Sequence, residues 1–390
     1  MRIQRVSVLH ADAGWRVTSF LKIETADGIV GWSEFSESVG TAGLSATILA
    51  LGEKIIGLDP RRVEWIMAVL YTTVVPAWSG INQHAVAAIC NALLDIKAKE
   101  LGVPVHALFG GMVRDRLPVY WSHCGSYRVR YADALGKPPL RTIDDFHEIG
   151  AEVARAGFSG LKTNIMMMED GQLSAFRPGF GTSGFPGLIP QPKVLETLDR
   201  QLTALRHGAG PDMDIMLDAN FHFRTEGYLQ LARALRDHRL TWLELDCYDP
   251  KSVALVRREA NLPIATGESL YGRRSYRPFL EAYSMDVAIV DVIWNGFLES
   301  TKIAAAAETY EVNVAPHNFY GHLADHISAH FAAVTPNFRI MEMDIEDVPW
   351  KGEFVTDAPV IENGAFVVPD RPGWGTDVDE KAVARHPVTR

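Results

Sequence analysis

The chain has 390 residues, 47% of them apolar, and 38 Lys and Arg against 48 Asp and Glu leave a formal charge of −10. The length suits one large domain plus a smaller one, and the acidic balance excludes the basic footprint of a protein that binds nucleic acid or an anionic membrane. No stretch approaches the roughly 18 consecutive apolar residues of a membrane span, and the opening MRIQRVSVLHADAG has no apolar signal core, so a soluble, cytoplasmic protein is expected.

The runs IQRVSVLH and SFLKIETADGIVGWSEF alternate apolar and polar residues around Asp27-Gly28, a dipeptide that favours a tight hairpin turn, and predict an antiparallel sheet. Between residues 41 and 101 the spacing becomes helical. In HAVAAICNALLDIKAKEL, Ala87, Cys90, Leu94 and Ala98 recur at three and four. Cys90, Cys124 and Cys247 are odd in number and form no CxxC pair, so they are read as buried structural thiols rather than a disulfide framework or zinc site.

From Leu117 onward short apolar strands alternate with amphipathic stretches, the pattern of βα units around a parallel sheet. Eight strand candidates follow in order: LPVYWS, GLKTNI, DIMLDAN, LTWLELD, LPIATGES, MDVAIVDV, VNVAPHN and FRIMEMD. Eight is the number that closes a barrel. Residues 165–192 form a Gly- and Pro-rich insertion after the second strand, much longer than the usual loop of about two to six residues, and are read as a lid or a subunit contact. EFVTDAP and AFVVPD, beyond Trp350, are strand candidates expected to return to the N-terminal sheet.

Most of the eight strands end on an ionisable residue: Lys162, Asp218, Glu244, Glu268, Asp291, His317 and Glu342. From Asp218 on, the steps are 23 to 26 residues, one strand-helix unit each, so these side chains should converge at one mouth of the barrel. Asp218, Glu244 and Glu268 offer oxygen ligands in an arc without thiolate or imidazole, which favours a hard divalent cation, Mg²⁺ before Mn²⁺. Singly each could be a surface acid at a loop start; three in succession after the buried runs DIML, TWL and PIAT argue for a ligand set.

Asp291 and His317 end neighbouring strands, so the carboxylate can fix one imidazole nitrogen and leave the other as general base or acid. His322, His326 and His330 recur at helix spacing and are read as capping or core histidines. Lys162 could neutralise a substrate carboxylate or charge that develops beside the metal. Asn220 and His222 in DANFHF, Trp15 and Arg16 near the first hairpin, and Arg177 in the insertion are further substrate-contact candidates. For Arg16 and Arg177 an exposed surface position is the competing reading.

Together the strand-end series KxN, DxN, E, GES, D, H and MEM, with the closing PGWGTDVDE, resembles the mandelate racemase subgroup of the enolase superfamily over essentially the whole chain. The resemblance implies an α/β fold with a (β/α)7β TIM-like barrel over residues 116–349, and a discontinuous α+β capping domain over residues 1–115, completed by 350–390. It also implies essential Mg²⁺, a homo-oligomer between dimer and octamer, and a capping loop around His10 to Arg16 that closes over the substrate. The chemistry it implies is abstraction of the proton α to a carboxylate to give a metal-stabilised enediolate.

Position by position, the resemblance makes Asp218, Glu244 and Glu268 the metal ligands, His317 with Asp291 the base dyad, and Glu342 the acid that hydrogen-bonds the substrate carboxylate. Lys162 matches the first lysine of the subgroup's KxK, and Asn164 stands where racemases carry the second, a base on the opposite face. An amide takes no proton at a useful pH, which disfavours two-base racemisation. One base suffices for dehydration of an aldonate or aldarate to a 2-keto-3-deoxy acid, with His317 or His222 returning a proton to the departing hydroxyl. The alternatives are an epimerase or racemase, a cycloisomerase that opens a lactone or anhydro ring, and a catalytically silent sugar-acid-binding protein, the last disfavoured by an intact ligand set and dyad.

Overall fold

A computed structural model describes residues 1–38, 41–178 and 189–389. Strands β1 (Ile3–Asp12), β2 (Val17–Thr25) and β3 (Val30–Phe35) form an antiparallel sheet in that order, with Gly28 at φ 83° in the β2–β3 turn. Helices Leu44–Gly52, Val63–Val74 and Ile81–Leu101 follow. The last of these buries Ala85, Ala88, Ile89, Ala92, Leu93 and Ile96, because it lies between the sheet and the barrel and has no solvent-facing stripe over most of its length. Gly31 of β3 permits that close approach: a Cβ there would meet the Ala92 carbonyl oxygen at 2.1 Å.

The barrel begins with β4 (Arg116–Trp121) and β5 (Gly160–Asn164). A hairpin of β6 (Met166–Glu169) and β7 (Gln172–Ala175) stands apart from it. The barrel continues through β8 (Asp214–Asp218), β9 (Trp242–Glu244), β10 (Ile264–Thr266), β11 (Val287–Asp291), β12 (Asn313–His317) and β13 (Met341–Met343), all parallel to their barrel neighbours. It closes where β13 pairs with β4 and where the Val314 N–H and C=O bond Asn337 and Arg339, each at 2.8 Å. Among the described residues seven helical crossovers alternate with these eight strands, which gives the (β/α)7β architecture. Tyr120, Met216, Trp242, Ala265, Val287, Ile289, Ala315 and Ile340 fill the barrel interior as a cluster separate from the main core.

Two elements are sharpened by the structure, and one of them corrects the expectation. The insertion after the second strand, whose internal structure the sequence did not specify, opens with the β6–β7 hairpin; residues 179–188 of it lie outside the described residues. The tail strands do not return to the N-terminal sheet. Residues 351–354 form a 3₁₀ turn, and β14 (Ile361–Glu362) with β15 (Ala365–Val367) adds antiparallel to β4, where buried Phe366 pairs with Leu117. Later tail residues do meet the cap: Trp374 Nε1 donates to the Trp32 carbonyl (3.0 Å) and the Asp12 N–H to the His386 carbonyl (2.8 Å).

Cys90 and Cys124 are buried as expected, whereas Cys247 is partly exposed. His322, His326 and His330 lie on helix His322–Val334 and contact Asp325, the Asp357 carbonyl and the Trp374 carbonyl through ring nitrogens. Among the described residues no helix is long and apolar enough to cross a membrane.

Candidate active site

The C-terminal ends of the barrel strands and the capping segment around Trp15 and Arg16 enclose a pocket of about 650 Å³. Of the residues singled out from the sequence, Glu244 and Asp291 stand behind its wall and the others line it.

Parallel register brings the acids together: Asp218 is opposite Glu244, and Glu268 lies two residues past β10. One oxygen from each of Asp218, Glu244 and Glu268 lies within 4.8 Å of the others. Glu244 Oε2 accepts from Lys162 Nζ (3.1 Å) and Trp242 Nε1 (3.2 Å), while its buried Oε1 has no hydrogen-bond partner among the described residues. Burial, together with the charges of Asp218 and Glu342, pushes the Glu244 carboxyl up to about 7 against the pull of Lys162, and burial raises Glu268 well above the carboxylate range. Three crowded acids that repel one another, Asp218 and Glu244 buried and Glu268 partly so, one with an orphaned oxygen, fit a hard divalent cation held by oxygen donors.

Lys162 is 2% exposed, with Nζ 3.1 Å from Glu244 and 2.8 Å from Glu342. Burial opposes its charge, but those carboxylates raise its pKa well above the ordinary value, so it stays an ammonium. Glu342 in turn accepts from Ser122 Oγ at 2.5 Å and from the Asn318 N–H at 2.9 Å. Lys162 holds it well below the usual carboxylate range despite burial, so Glu342 is an anion that orients Lys162 and Ser122. Asn164 Nδ2 reaches Asp218 Oδ2 at 3.4 Å.

His317 and Asp291 are register partners on β12 and β11, and Nδ1 lies 2.6 Å from Asp291 Oδ2. With the carboxylate as acceptor Nδ1 carries the proton, and Nε2 faces the pocket 3.4 Å from Glu268 Oε2. Burial opposes the imidazolium, but Glu268, Asp291 and Glu342 outweigh it and raise His317 to about 10. Two further donors hold Asp291: the Trp294 N–H at Oδ1 (2.7 Å) and the Tyr320 hydroxyl at Oδ2 (2.6 Å).

The remaining candidates divide. Asn220, in left-handed backbone at φ 47°, bonds Asp218 Oδ1 through its own N–H (2.8 Å) and its side-chain amide, and so braces a metal-ligand candidate. His222 is 2% exposed and edge-on to Phe176, and burial lowers it to about 4, which leaves it neutral at pH 7. Trp15 stacks on Tyr131 with ring centroids 4.7 Å apart. Arg177 lines the pocket, its pKa lowered by burial and by the charge of Arg130. Arg16 is not exposed: its guanidinium pairs with Asp344 (3.4 Å) and Asp347 and donates to the Phe319 and Tyr320 carbonyls, the latter at 3.2 Å.

Sequence reasoning missed Ser122, His123 and Tyr320. Ser122 and His123 directly follow the first barrel strand, and a search of strand ends for hydroxyl as well as ionisable groups would have found them. His123 has φ 48°, stacks on Tyr127 at 4.4 Å, and places Nδ1 2.9 Å from Asp344 Oδ1.

Comparison with known proteins matches this arrangement. Residues 147–382 match the family description "Enolase C-terminal domain-like", and residues 13–110 match "Mandelate racemase / muconate lactonizing enzyme, N-terminal domain". A D-galactonate dehydratase of Ralstonia nicotianae is 29% identical over 98% of this chain and 94% of its own. A solved structure from Burkholderia xenovorans strain LB400, provisionally named an L-alanine-DL-glutamate epimerase and bound to magnesium and fumarate, is 47% identical with a TM-score of 0.97, covering 99% of this chain and 96% of that one. An enolase superfamily member from Salmonella Typhimurium is 25% identical with a TM-score of 0.88, covering 99% and 98% of the two chains. With both of its parts matched and its strand-end residues converging on one pocket, the chain belongs to the mandelate racemase/muconate lactonizing enzyme family of the enolase superfamily.

Proposed function

We propose that this chain is a Mg²⁺-dependent lyase that dehydrates a sugar acid, an aldonate or aldarate, to a 2-keto-3-deoxy acid. The observation that carries the proposal is the asymmetry of the pocket. One side holds an imidazole tied to a carboxylate, and three strands round the barrel Lys162 is locked as an ammonium between Glu244 and Glu342, with the non-basic Asn164 two residues on. That arrangement supplies one base, which dehydration needs and two-base racemisation exceeds. The dehydratase relative supports the same reading.

In this reading Asp218, Glu244 and Glu268 hold Mg²⁺, or Mn²⁺, which when bound offsets the negative charge that develops on the substrate carboxylate. Lys162, held by Glu342, presents its ammonium to that same carboxylate. His317 accepts the α-proton at Nε2, and Asp291 at Nδ1 fixes the tautomer and stabilises the imidazolium. Glu268 is first among the charges that raise His317; once Glu268 is committed to a cation that influence is offset, and the neutral imidazole is populated nearer pH 7. The imidazolium then returns its proton to the β-hydroxyl. The C–O bond breaks, water leaves, the electron pair of the enediolate forms the C2–C3 double bond, and the enol tautomerises to the 2-keto acid. His222, held neutral by burial, is the weaker donor for that step.

The test is a screen of the protein with Mg²⁺ against aldonates and aldarates, D-galactonate first. Semicarbazide detects 2-keto acid, and proton NMR in D₂O follows the α-proton. Keto acid that disappears with EDTA supports the lyase. Loss of the α-proton without keto acid would move the assignment to an epimerase, the reading favoured by the 47% identical relative. Silence in both readouts overturns dehydration of open-chain acids.

A further inference from the structure

Asp291 Oδ2 is shared. It lies 2.6 Å from His317 Nδ1 and also accepts, at 2.6 Å, from the hydroxyl of Tyr320, three residues beyond the histidine. Both rings are nearly out of solvent, Tyr320 at 3% and His317 at 6% exposure, and they meet edge-on with centroids 6.2 Å apart. With Trp294 N–H on Oδ1, both oxygens of this fully buried carboxylate have donors. Burial raises the Tyr320 phenol well above its ordinary value, so it remains a donor throughout the useful pH range.

The segment that carries Tyr320 is held from the other part of the molecule. Arg16, between β1 and β2, donates to the Phe319 and Tyr320 carbonyls and is itself fixed by Asp344 and Asp347. Glu34 on β3 accepts from the N–H groups of Gly321 (2.6 Å) and Ala324 (3.0 Å). Arg16 and Glu34 of the capping region therefore hold the backbone at and on either side of Tyr320 in the chain.

We propose that Tyr320 is a positioning residue for the reaction: its hydroxyl, placed by Arg16 and Glu34, fixes Asp291 and through it the orientation of His317. The inference rests on the reading of His317 as the base. A buried carboxylate that loses one donor can rotate or draw in water, and the imidazole it holds loses its fixed aim. Outer partners that orient metal-ligating side chains commonly alter activity by roughly 10- to 100-fold, and the low end of that range is expected for a partner that orients the base. No substrate atom need touch Tyr320, so its removal should lower kcat and leave KM alone.

Tyr320→Phe keeps the ring and removes only the hydroxyl, and circular dichroism with the thermal midpoint verifies that the variant folds. It is compared with wild type, Asp291→Asn and the double variant on the acid that gives keto acid in the screen, D-galactonate being the first tried. The expected result is a fall of about tenfold in kcat and in α-proton exchange with KM unchanged, and a much smaller effect of the same change in the Asp291→Asn background. An unchanged kcat, or an equal loss in both backgrounds, overturns the proposal, since a contact that acts only on packing would be additive.

Crystal structures of wild type and Tyr320→Phe with Mg²⁺ decide the matter if no acid turns over. A His317 ring that keeps its rotamer and its bond to Asp291 in the variant overturns the positioning role; a displaced or disordered ring upholds it. Retained exchange in His317→Asn would instead sink the base assignment, a different failure from that of Tyr320.

Discussion

His317 Nδ1 and Asp291 Oδ2 are 2.6 Å apart across one rung of the β11–β12 pair, so the dyad is built from register rather than from loop conformation. Adjacent parallel strands place their last residues side by side, and the bond forms wherever the barrel forms. General-base catalysis contributes on the order of 10²- to 10⁴-fold. His317→Asn should lower α-proton exchange and keto-acid formation together by at least that range, with Mg²⁺ affinity largely kept. Native-rate exchange in D₂O by the variant would remove His317 from the base position.

The three carboxylates make a second prediction. Asp218, Glu244 and Glu268 are crowded within 4.8 Å, and burial raises the pKa values of Glu244 and Glu268. A cation that binds only the folded state at about 100 times its Kd stabilises by about 2.7 kcal/mol. Added Mg²⁺ should therefore raise the thermal midpoint of wild type but not of Glu268→Gln. In EDTA neither protein should show that shift. An undiminished Mg²⁺ shift in Glu268→Gln would contradict the ligand set.

The barrel, the acid arc and the dyad were legible because each is periodic: an apolar run, an ionisable end and a crossover recur from Asp218 to Glu342. What the sequence concealed is what that period does not generate. The bond from Tyr320 to Asp291 depends on how the loop after β12 turns back, and Ser122 was passed over because a hydroxyl carries no charge to mark the strand end. The addition of β15 to β4 satisfies a strand edge at the far end of the barrel, and alternation in the tail did not specify which edge. Arg16 reads as a surface residue until Asp344 and Asp347, more than 300 positions away, are brought to it.

That last contact predicts how strongly the two parts are joined. Arg16, its side chain 8% exposed, packs against Asp344, Asp347 and two carbonyls, and although burial opposes its charge, the two aspartates raise its pKa further. Removal of one partner from a buried ion pair costs roughly 3–5 kcal/mol where the other charge is left uncompensated; His123 and Tyr127 still reach Asp344, and Lys351 lies 3.7 Å from Asp347, which places the loss at the low end of that range. Arg16→Gln should lose stability of that order in urea denaturation at neutral pH. A loss under about 1 kcal/mol would mean that His123, Tyr127 and Lys351 alone satisfy Asp344 and Asp347, and that Arg16 adds no more than an exposed pair would.

Glu34 adds a pH dependence to the same junction. Burial pushes its carboxyl up to about 7 from an ordinary 4.5, against the lowering effect of the Ala324 and Gly321 N–H groups and of Arg16. The folded chain therefore binds this proton more tightly than the unfolded chain does. The resulting stability is fully present below pH 4.5 and is lost as pH rises through about 7. A shift of that size corresponds to about 3 kcal/mol between the two limits. Between pH 5 and 8 the unfolding free energy of wild type should fall relative to Glu34→Gln, whose side chain does not titrate. If the difference between the two proteins stays flat over that range, Glu34 titrates in the folded state as it does in the unfolded chain, and its two backbone bonds offset the cost of burying the charge.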